Sequence, residues 1–255
     1  MVQVTKSLPT VQLEIAVHTI QSAVAAQNGG ATRVELFSNP LEGGVTPSPG
    51  TIGAVRDKLT VELHVMIRPR GGDFHYDEME FTAMREDIAQ ARRFGANGVV
   101  FGIVNLDGTI DRERTRELVE SSRGMSVTFH RAFDVCQNLP NALETLISCG
   151  VDRILTSGGE ATALEGCSAI ANLVIQGANR IAVMAGGGIS PENAREIVEK
   201  TGVREIHAGL RSIVPSPMRF RNERIALGPT AYGTYERIIV REDRVRQLRR
   251  ELEGL

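Results

Sequence analysis

Charged and imidazole side chains recur at alternate positions in several short segments rich in β-branched residues. They are Glu14, Glu35, His64, Arg68, His130, Glu205 and His207. Because successive residues of a strand point to opposite faces, the apolar neighbours share one face and these polar side chains share the other. Carboxylates and imidazoles serve as general acids and bases, and they also bind Zn, Mn or Mg. The pattern predicts a polar functional site, with a set of internal salt bridges as the alternative.

Two arginines close the third of these segments. Arg68 and Arg70 stand in the stretch MIRPRGGDF, two residues apart and followed by a glycine pair. Guanidinium groups in such a fork can hold a carboxylate or a phosphate in a bidentate manner. The sequence therefore predicts that both arginines bind substrate, with an ion pair to Glu14 or Glu35 as the alternative.

The fifth segment ends in TFHRAFD and carries a candidate proton-transfer group. His130 would act as a general acid or base near neutral pH, and Asp134 would fix its tautomer. Arg131 lies between them and is predicted to bind substrate. We place Glu14 and Glu35 beside His130 as a base or as metal ligands.

A glycine-rich stretch follows the seventh segment and resembles a phosphate cradle. Gly186, Gly187 and Gly188 would offer backbone N–H groups, and Ser190-Pro191 is typical of the start of the next helix. Barrel enzymes often bind phosphate in the loops after strands seven and eight. Ser157, after the sixth strand, and His207, in the eighth, complete the predicted substrate-binding set.

Strands and amphipathic helical stretches alternate along most of the chain, which predicts an α/β protein. Eight such units up to Arg211 average about 26 residues each, typical of a TIM-type (β/α)8 barrel. An open doubly wound sheet is the second choice, but the dinucleotide glycine fingerprint is missing after the first strand. We predict one domain over 1–255, with the barrel at about 12–211 and a C-terminal extension at about 212–255. In that extension Val245, Leu248 and Leu252 predict a helix that packs on the barrel or on a partner subunit.

Composition excludes several classes of protein. The 255 residues are 42% hydrophobic and 24% charged with a net charge of -2, which argues against disorder, nucleic-acid binding and attachment to anionic membranes. No apolar run could serve as a signal or a membrane span. Cys136, Cys149 and Cys167 form no CxxC pair, which fits a reducing cytoplasm.

The motifs MIRPRGGDF, TFHRAFD, ILTSGG, ALEG and MAGGGI, in this order, resemble the CutC copper-homeostasis protein family. The resemblance runs from about Leu13 to Arg211, with an echo at Met218–Asn222. It implies a single TIM-type barrel, a cytoplasmic location and a homo-oligomer, either dimeric or tetrameric. It also implies copper handling, with copper ion as the ligand.

Two positions depart from the pattern of that family. Relatives often carry cysteines where this chain has Ala16 and Phe37. Copper(I) prefers thiolate and thioether ligands, so a copper site here would need Cys136, Met66, Met184 or a set of histidines. Two functions stay open beside a purely assembling barrel: a copper-homeostasis protein, or a lyase or isomerase acting on a small phosphorylated or carboxylated metabolite. No lysine ends a predicted strand, which disfavours Schiff-base chemistry.

Overall fold

The computed structural model describes residues 11–225 and 233–255, and eight parallel strands in it close into a barrel. Each strand pairs with the next along the chain, and β8 pairs with β1. The predicted TIM-type architecture is confirmed. The strands are β1 Gln12–Val17, β2 Arg33–Leu36, β3 Glu62–Met66, β4 Gly98–Phe101, β5 Ser126–Phe129, β6 Arg153–Thr156, β7 Ala182–Gly186 and β8 Glu205–Ala208.

Helices follow the strands and cover the outside of the barrel. They are α1 Ile20–Asn28, α2 Pro49–Arg56, α3 Glu78–Arg93, α4 Arg112–Ser121, α5 Leu139–Cys149, α6 Cys167–Gly177, α7 Ala194–Thr201 and α8 Glu242–Glu251. A pair of antiparallel strands, β9 Arg211–Pro215 and β10 Glu236–Val240, precedes α8. Short 3-10 helices span Pro40–Glu42 and Arg131–Val135. No helix in the described ranges is long and apolar enough to cross a membrane.

Local hydrogen bonds set where the helices begin. Asp77 forms a reciprocal capping box with Glu80 at the start of α3. The predicted start of α7 at Pro191 is wrong. Asn193 accepts a hydrogen bond from the Ser190 N–H and donates one to the Gly188 carbonyl, which holds a turn there and delays the helix to Ala194.

The C-terminal helix completes the outer layer, as its apolar stripe predicts. Val245, Leu248 and Leu252 are fully buried in the main apolar core. Val245 lies so close to Gly29, the residue that ends α1, that a Cβ there would meet it at 2.5 Å. The helix therefore covers the barrel at α1, in the chain itself rather than in a partner.

Strand register sorts the inward-facing residues into four layers of four, each layer drawn from alternate strands. From the amino-terminal end of the strands upward they are Arg33, Gly98, Arg153 and Glu205; Glu14, His64, Thr128 and Met184; Glu35, Val100, Leu155 and His207; and Ala16, Met66, His130 and Gly186. We call the first two layers the lower half and the last two the upper half. An ordinary barrel fills these layers with Val, Ile and Leu, so this interior is unusually polar.

Candidate functional site

A cavity of about 600 Å³ opens above the upper half, at the carboxyl ends of the strands. Of the residues predicted from sequence, Glu35, Arg68, His130, Arg131, Gly187, Gly188 and His207 line it. The other five, Glu14, Arg70, Asp134, Ser157 and Gly186, do not line it. The loops after the strands therefore bring most of the predicted set to one place, as expected for a barrel of this type.

Arg68 is a buried cation without a carboxylate partner. Its side chain stands above β3 and is only 4% exposed. It donates hydrogen bonds to the carbonyls of Glu42, Gly44 and Gly72, at 2.6–2.9 Å, while its Nε has no partner. No carboxylate in the described residues lies within ion-pair distance of it, so the predicted alternative of a pair with Glu14 or Glu35 is wrong. A buried guanidinium without a counter-ion has the chemistry to bind an anion that enters the cavity.

Arg70 does not share the cavity with Arg68, so the predicted arginine fork is not formed. The Arg70 side chain turns to the outside of the barrel, where it pairs with Glu80 at 2.6 Å and with Asp73 at 3.1 Å. Proline at position 69 separates the two arginines, and only Arg68 keeps the inward parity of β3.

Asp134 holds Arg131 rather than His130, which corrects its predicted role. Its carboxylate accepts hydrogen bonds from Arg131 Nε at 2.7 Å, from Thr156 Oγ1 and from the Ser157 N–H. Arg131 Nη2 also donates to Ser157 Oγ at 2.6 Å. Asp134 and Ser157 therefore hold the Arg131 guanidinium in place at the wall of the cavity.

The glycines after β7 divide into two kinds. Gly186 belongs to the strand, where a Cβ would lie 2.4 Å from Leu155 Cδ1, so its role is packing rather than phosphate binding. Gly187 and Gly188 adopt φ angles of 106° and 72°, and in the described part of the chain neither N–H donates a hydrogen bond. A Cβ on Gly187 would lie 3.3 Å from Nη1 of Arg131. These two glycines and Arg131 thus lie together in the lining of the cavity.

His130 sits in a fixed tautomer at the floor of the cavity. Its Nδ1 accepts the Ala132 N–H at 3.1 Å, so the ring proton is carried by Nε2, which is buried and has no partner among the described residues. Burial, together with the nearby charge of Arg68, lowers the pKa of His130 to about 3. The ring is therefore neutral at pH 7 and can donate a hydrogen bond through Nε2.

Glu14, His207 and Glu35 form a row of interacting side chains at the base of the cavity, which His207 and Glu35 line. His207 Nδ1 lies 2.7 Å from Glu14 Oε1, and its Nε2 lies 3.9 Å from Glu35 Oε2. Burial opposes the charge of Glu14, but Arg33 at 2.5 Å and His207 outweigh it and hold the pKa of Glu14 well below its usual value. Burial raises the pKa of Glu35 to about 7. Burial also acts against a charged His207, yet Glu35 and Glu14 raise the pKa of that imidazole.

The same three residues are the group of metal-type donors that the described residues bring together, with ligand atoms within 4.8 Å of one another. His64 and His130, which the sequence adds to this set, lie outside it. Both oxygens of Glu14 are already engaged, by Arg33 and by His207. Two free donors, one from Glu35 and one from His207, are too few for a closed metal site.

Copper(I) does not fit the residues of the cavity. Cys136, Cys149 and Cys167 all lie outside its lining, and burial raises the pKa of each thiol, that of Cys136 to about 12. Met66 is the single sulfur-bearing residue that lines the cavity in the part of the chain described. It packs with Ala16, Phe37 and Val100 in a small apolar cluster. One thioether without a thiolate is a poor copper(I) site.

Sequence reasoning did not identify Arg211 as a site residue. This side chain, at the start of β9, lines the cavity, lies 5.6 Å above the ring of Phe37 and donates to the Pro40 carbonyl. Phe74 was also missed: its ring lies between the Arg68 guanidinium and the His130 imidazole, at 4.8 and 4.9 Å. The signal for Arg211 was its position just after β8, since loops at that end of a barrel carry the site.

Comparisons with known proteins agree with this fold and with the motifs. Residues 11–212 match the CutC family. The chain is 45% identical to family protein CutC of Bacteroides thetaiotaomicron over 92% of its length and 95% of that protein. It is 46% identical to the human copper homeostasis protein cutC homolog, over 85% of this chain and 79% of the human protein. A crystal structure of CutC from Streptococcus agalactiae superimposes with a TM-score of 0.73 at 33% identity, covering 77% of this chain and 97% of that one. The chain belongs to the CutC family.

Proposed function

We propose copper homeostasis as the cellular role of this chain and a small-anion site at the mouth of the barrel as its molecular function. The role follows the name of its mammalian relatives. The molecular function is an enzymatic one, of lyase or isomerase type, on a small phosphorylated or carboxylated metabolite. The observation that carries it is the convergence of Arg68, Arg131 and Arg211 on one cavity.

The charges of the lining favour an anionic ligand. Three guanidinium groups face two carboxylates, Glu35 and Glu42. Because burial raises the pKa of Glu35 to about 7, a large fraction of that carboxyl is neutral at pH 7, and the lining carries a net positive charge. Phosphate would accept hydrogen bonds from the N–H groups of Gly187 and Gly188 and from Arg131 Nη1.

Replacing one cavity arginine tests the anion site. Arg211→Met removes a guanidinium whose described hydrogen bonds are limited to one carbonyl, whereas Arg70→Met removes a guanidinium on the outer surface. Thermal shift and calorimetry with inorganic phosphate and malonate would report binding. We expect Arg211→Met to weaken it by about 10- to 100-fold, the equivalent of one charge-assisted hydrogen bond, and Arg70→Met to leave it unchanged. An absence of stabilisation by either anion, or equal losses in both variants, would contradict the proposal.

Direct copper binding is the second candidate, favoured by the names of the relatives. Ala16 and Phe37 pack against Met66 in one cluster, so cysteines at both positions would stand beside a thioether. We expect the reduced wild-type chain to lose copper(I) to a competing chelator and the double variant Ala16→Cys, Phe37→Cys to retain about one equivalent. Retention by the wild type that Met66→Leu abolishes would instead favour copper as the ligand.

We further propose a cytoplasmic homo-oligomer, a dimer or a tetramer, built from a single domain over 1–255. Three cysteines without a disulfide support a reducing compartment. Light scattering of the purified chain, and fractionation of cells that express it, would test these two properties.

A further inference from the structure

We infer that Glu35 and His207 form the proton-transfer unit of the cavity, that Glu14 positions it, and that His130 serves as a hydrogen-bond donor to the substrate. The inference rests on the proposed small-anion enzyme and names its reaction class, proton transfer at a carbon next to a carbonyl. It differs from the sequence-based assignment, in which His130 moves the proton.

The buried Glu14 carboxylate fixes the orientation of the His207 ring. Glu14 is 0% exposed and lies 2.7 Å from His207 Nδ1. Its other oxygen accepts the Arg33 Nε–H, so it is held as an anion and can only accept from the imidazole. Nδ1 therefore carries a proton, and the Nε2 atom of His207 is the one left to gain or lose a proton on the cavity side. Glu14 does not line the cavity, which makes it a positioning residue.

Glu35 supplies a partner for that nitrogen. Its Oε2 lies 3.9 Å from His207 Nε2, and its Oε1 is buried without a hydrogen-bond partner in the described residues. Both side chains line the cavity. The charged and titratable groups that face the pair are Glu14 from β1, Arg33 from β2 and Arg211 from β9. His64 of β3, which pairs in register with Glu35, also faces it, and burial lowers the pKa of that imidazole to about 3, so it is neutral at pH 7. The neighbour from β7 is Gly186, which brings no charge and leaves room for the ring.

His130 cannot take the same part. Accepting a proton on Nε2 needs a lone pair there, and a shift of the ring proton to Nδ1 would set it against the Ala132 N–H. The ring therefore stays a neutral donor. Such a group stabilises negative charge as it develops on a substrate oxygen.

The step balances without a co-reactant. With the shared proton on Glu35, the lone pair of His207 Nε2 takes a proton from the carbon next to a substrate carbonyl. The electron pair of that C–H bond becomes the C=C bond of an enolate, and the carbonyl π pair moves onto the oxygen, which accepts the hydrogen bond from His130. Return of a proton from Nε2 to the carbon reverses the step. In D2O the proton on Nε2 can first exchange with solvent, and the carbon then acquires deuterium.

Histidine NMR tests the unit without any substrate. In the full chain labelled with 15N-histidine, we expect His207 to be the Nδ1–H tautomer when neutral and to titrate with a midpoint above that of an ordinary histidine, while His130 stays an Nε2–H tautomer throughout the titration. Glu35→Gln keeps the shape of the side chain and removes no described hydrogen bond, and it should lower the His207 midpoint by at least about half a unit. Glu42→Gln, a cavity carboxylate that does not face His207, is the matched control and should leave the midpoint unchanged. Glu14→Gln should lower it as well, provided that variant folds.

A second measurement reads the chemistry. Dihydroxyacetone phosphate carries a phosphate, a carbonyl and an adjacent C–H bond, and we expect the wild-type chain to exchange that hydrogen with D2O. His207→Gln should slow exchange by at least about 100-fold while phosphate still raises the melting temperature. An Nε2–H tautomer of His207, a midpoint that Glu35→Gln does not move, or a bound phosphate ester without exchange would each overturn the inference. If phosphate fails to bind at all, the small-anion proposal fails, and the NMR result still decides whether the proton-transfer unit exists.

Discussion

The lower and upper halves of the barrel interior are both polar, but they differ in how far their polar groups are paired with one another. In the lower half Glu205 accepts from Arg33 at 2.6 Å and from Arg153 at 2.5 Å, and Arg33 also holds Glu14. In the upper half Glu35 Oε1 and His130 Nε2 are buried without partners in the described residues. Arg68, just above the upper half, forms no ion pair with a carboxylate in the described residues.

This difference separates polar groups that are paired with one another inside the barrel from polar groups that are left without a partner in the described residues. A buried ion with partners on both sides recovers part of its desolvation cost through those contacts, whereas a buried polar group without a partner costs about 1–3 kcal/mol. The unpartnered groups on Glu35, Arg68 and His130 lie around one cavity, where a bound anion could accept hydrogen bonds from Arg68 Nε and His130 Nε2. Tyr76 and Thr115 also carry buried hydroxyls without described partners, away from this cavity. Within the barrel interior His64 is the exception: it lies in the lower half, and both of its ring nitrogens lack hydrogen-bond partners in the described residues.

The largest effect should come from breaking the lower half. Glu205→Gln leaves the shape of the side chain but removes the charge shared by Arg33 and Arg153, both mostly buried. We expect a loss of about 3–5 kcal/mol in the free energy of unfolding, since an uncompensated buried charge remains. Urea denaturation would measure it.

The same replacement in the upper half is the matched control. Glu35→Gln removes a carboxylate that makes no described hydrogen bond, so its cost should stay below about 1 kcal/mol. Similar losses in the two variants would remove the distinction between the halves.

The exception, His64, should make the free energy of unfolding fall at acidic pH. Burial lowers the pKa of His64 to about 3, below its unfolded value of about 6.5, so the unfolded chain binds the extra proton. Its contribution to stability is complete above pH 6.5 and is lost as the pH falls toward 3, by about 2 kcal/mol between pH 6.5 and 4.5. His64→Leu should flatten this slope and cost less than about 1 kcal/mol at pH 7, because no hydrogen bond is lost. Unfolding curves at several pH values would test this, and an unchanged slope would show that His64 gains its proton in the native state.

The smallest expected effect is that of a lower-half substitution on the titration of His207 in the upper half. A chain of ion pairs joins Arg153 to Glu14 through two intervening residues, Glu205 and Arg33. Arg153→Gln removes a positive charge below His207, so the midpoint of His207 should rise, by less than about one unit. The histidine NMR titration would measure it, and a fall in the midpoint would contradict a chain of this sign.

Much of this arrangement follows from parity along the strands. The alternation at Glu14, Glu35, His64, His130 and His207 predicts which side chains point inward, and four of the five are almost fully buried. Parity also places Arg33 beside Glu35, but a pattern in one strand does not show which charges meet across the barrel, because register sets that. Loop conformation was harder: parity predicts that Arg68 points inward, but nothing local in RPRGG shows that Arg70 turns outward. The hydrogen bond that His130 Nδ1 accepts from the Ala132 N–H depends on a 3-10 turn, which the alternation of residues in strands does not predict.

The chain of ion pairs begins at Arg153 and runs through Glu205, Arg33 and Glu14 to His207. Its Arg153 end lies on the face opposite the cavity, where Arg153 and Glu205 border a shallow depression. A mutation on that face can alter the acidity of His207 without changing any residue that a ligand touches. Selection could thus adjust the working pH of the protein independently of its choice of ligand, and an engineer could do the same from outside the site.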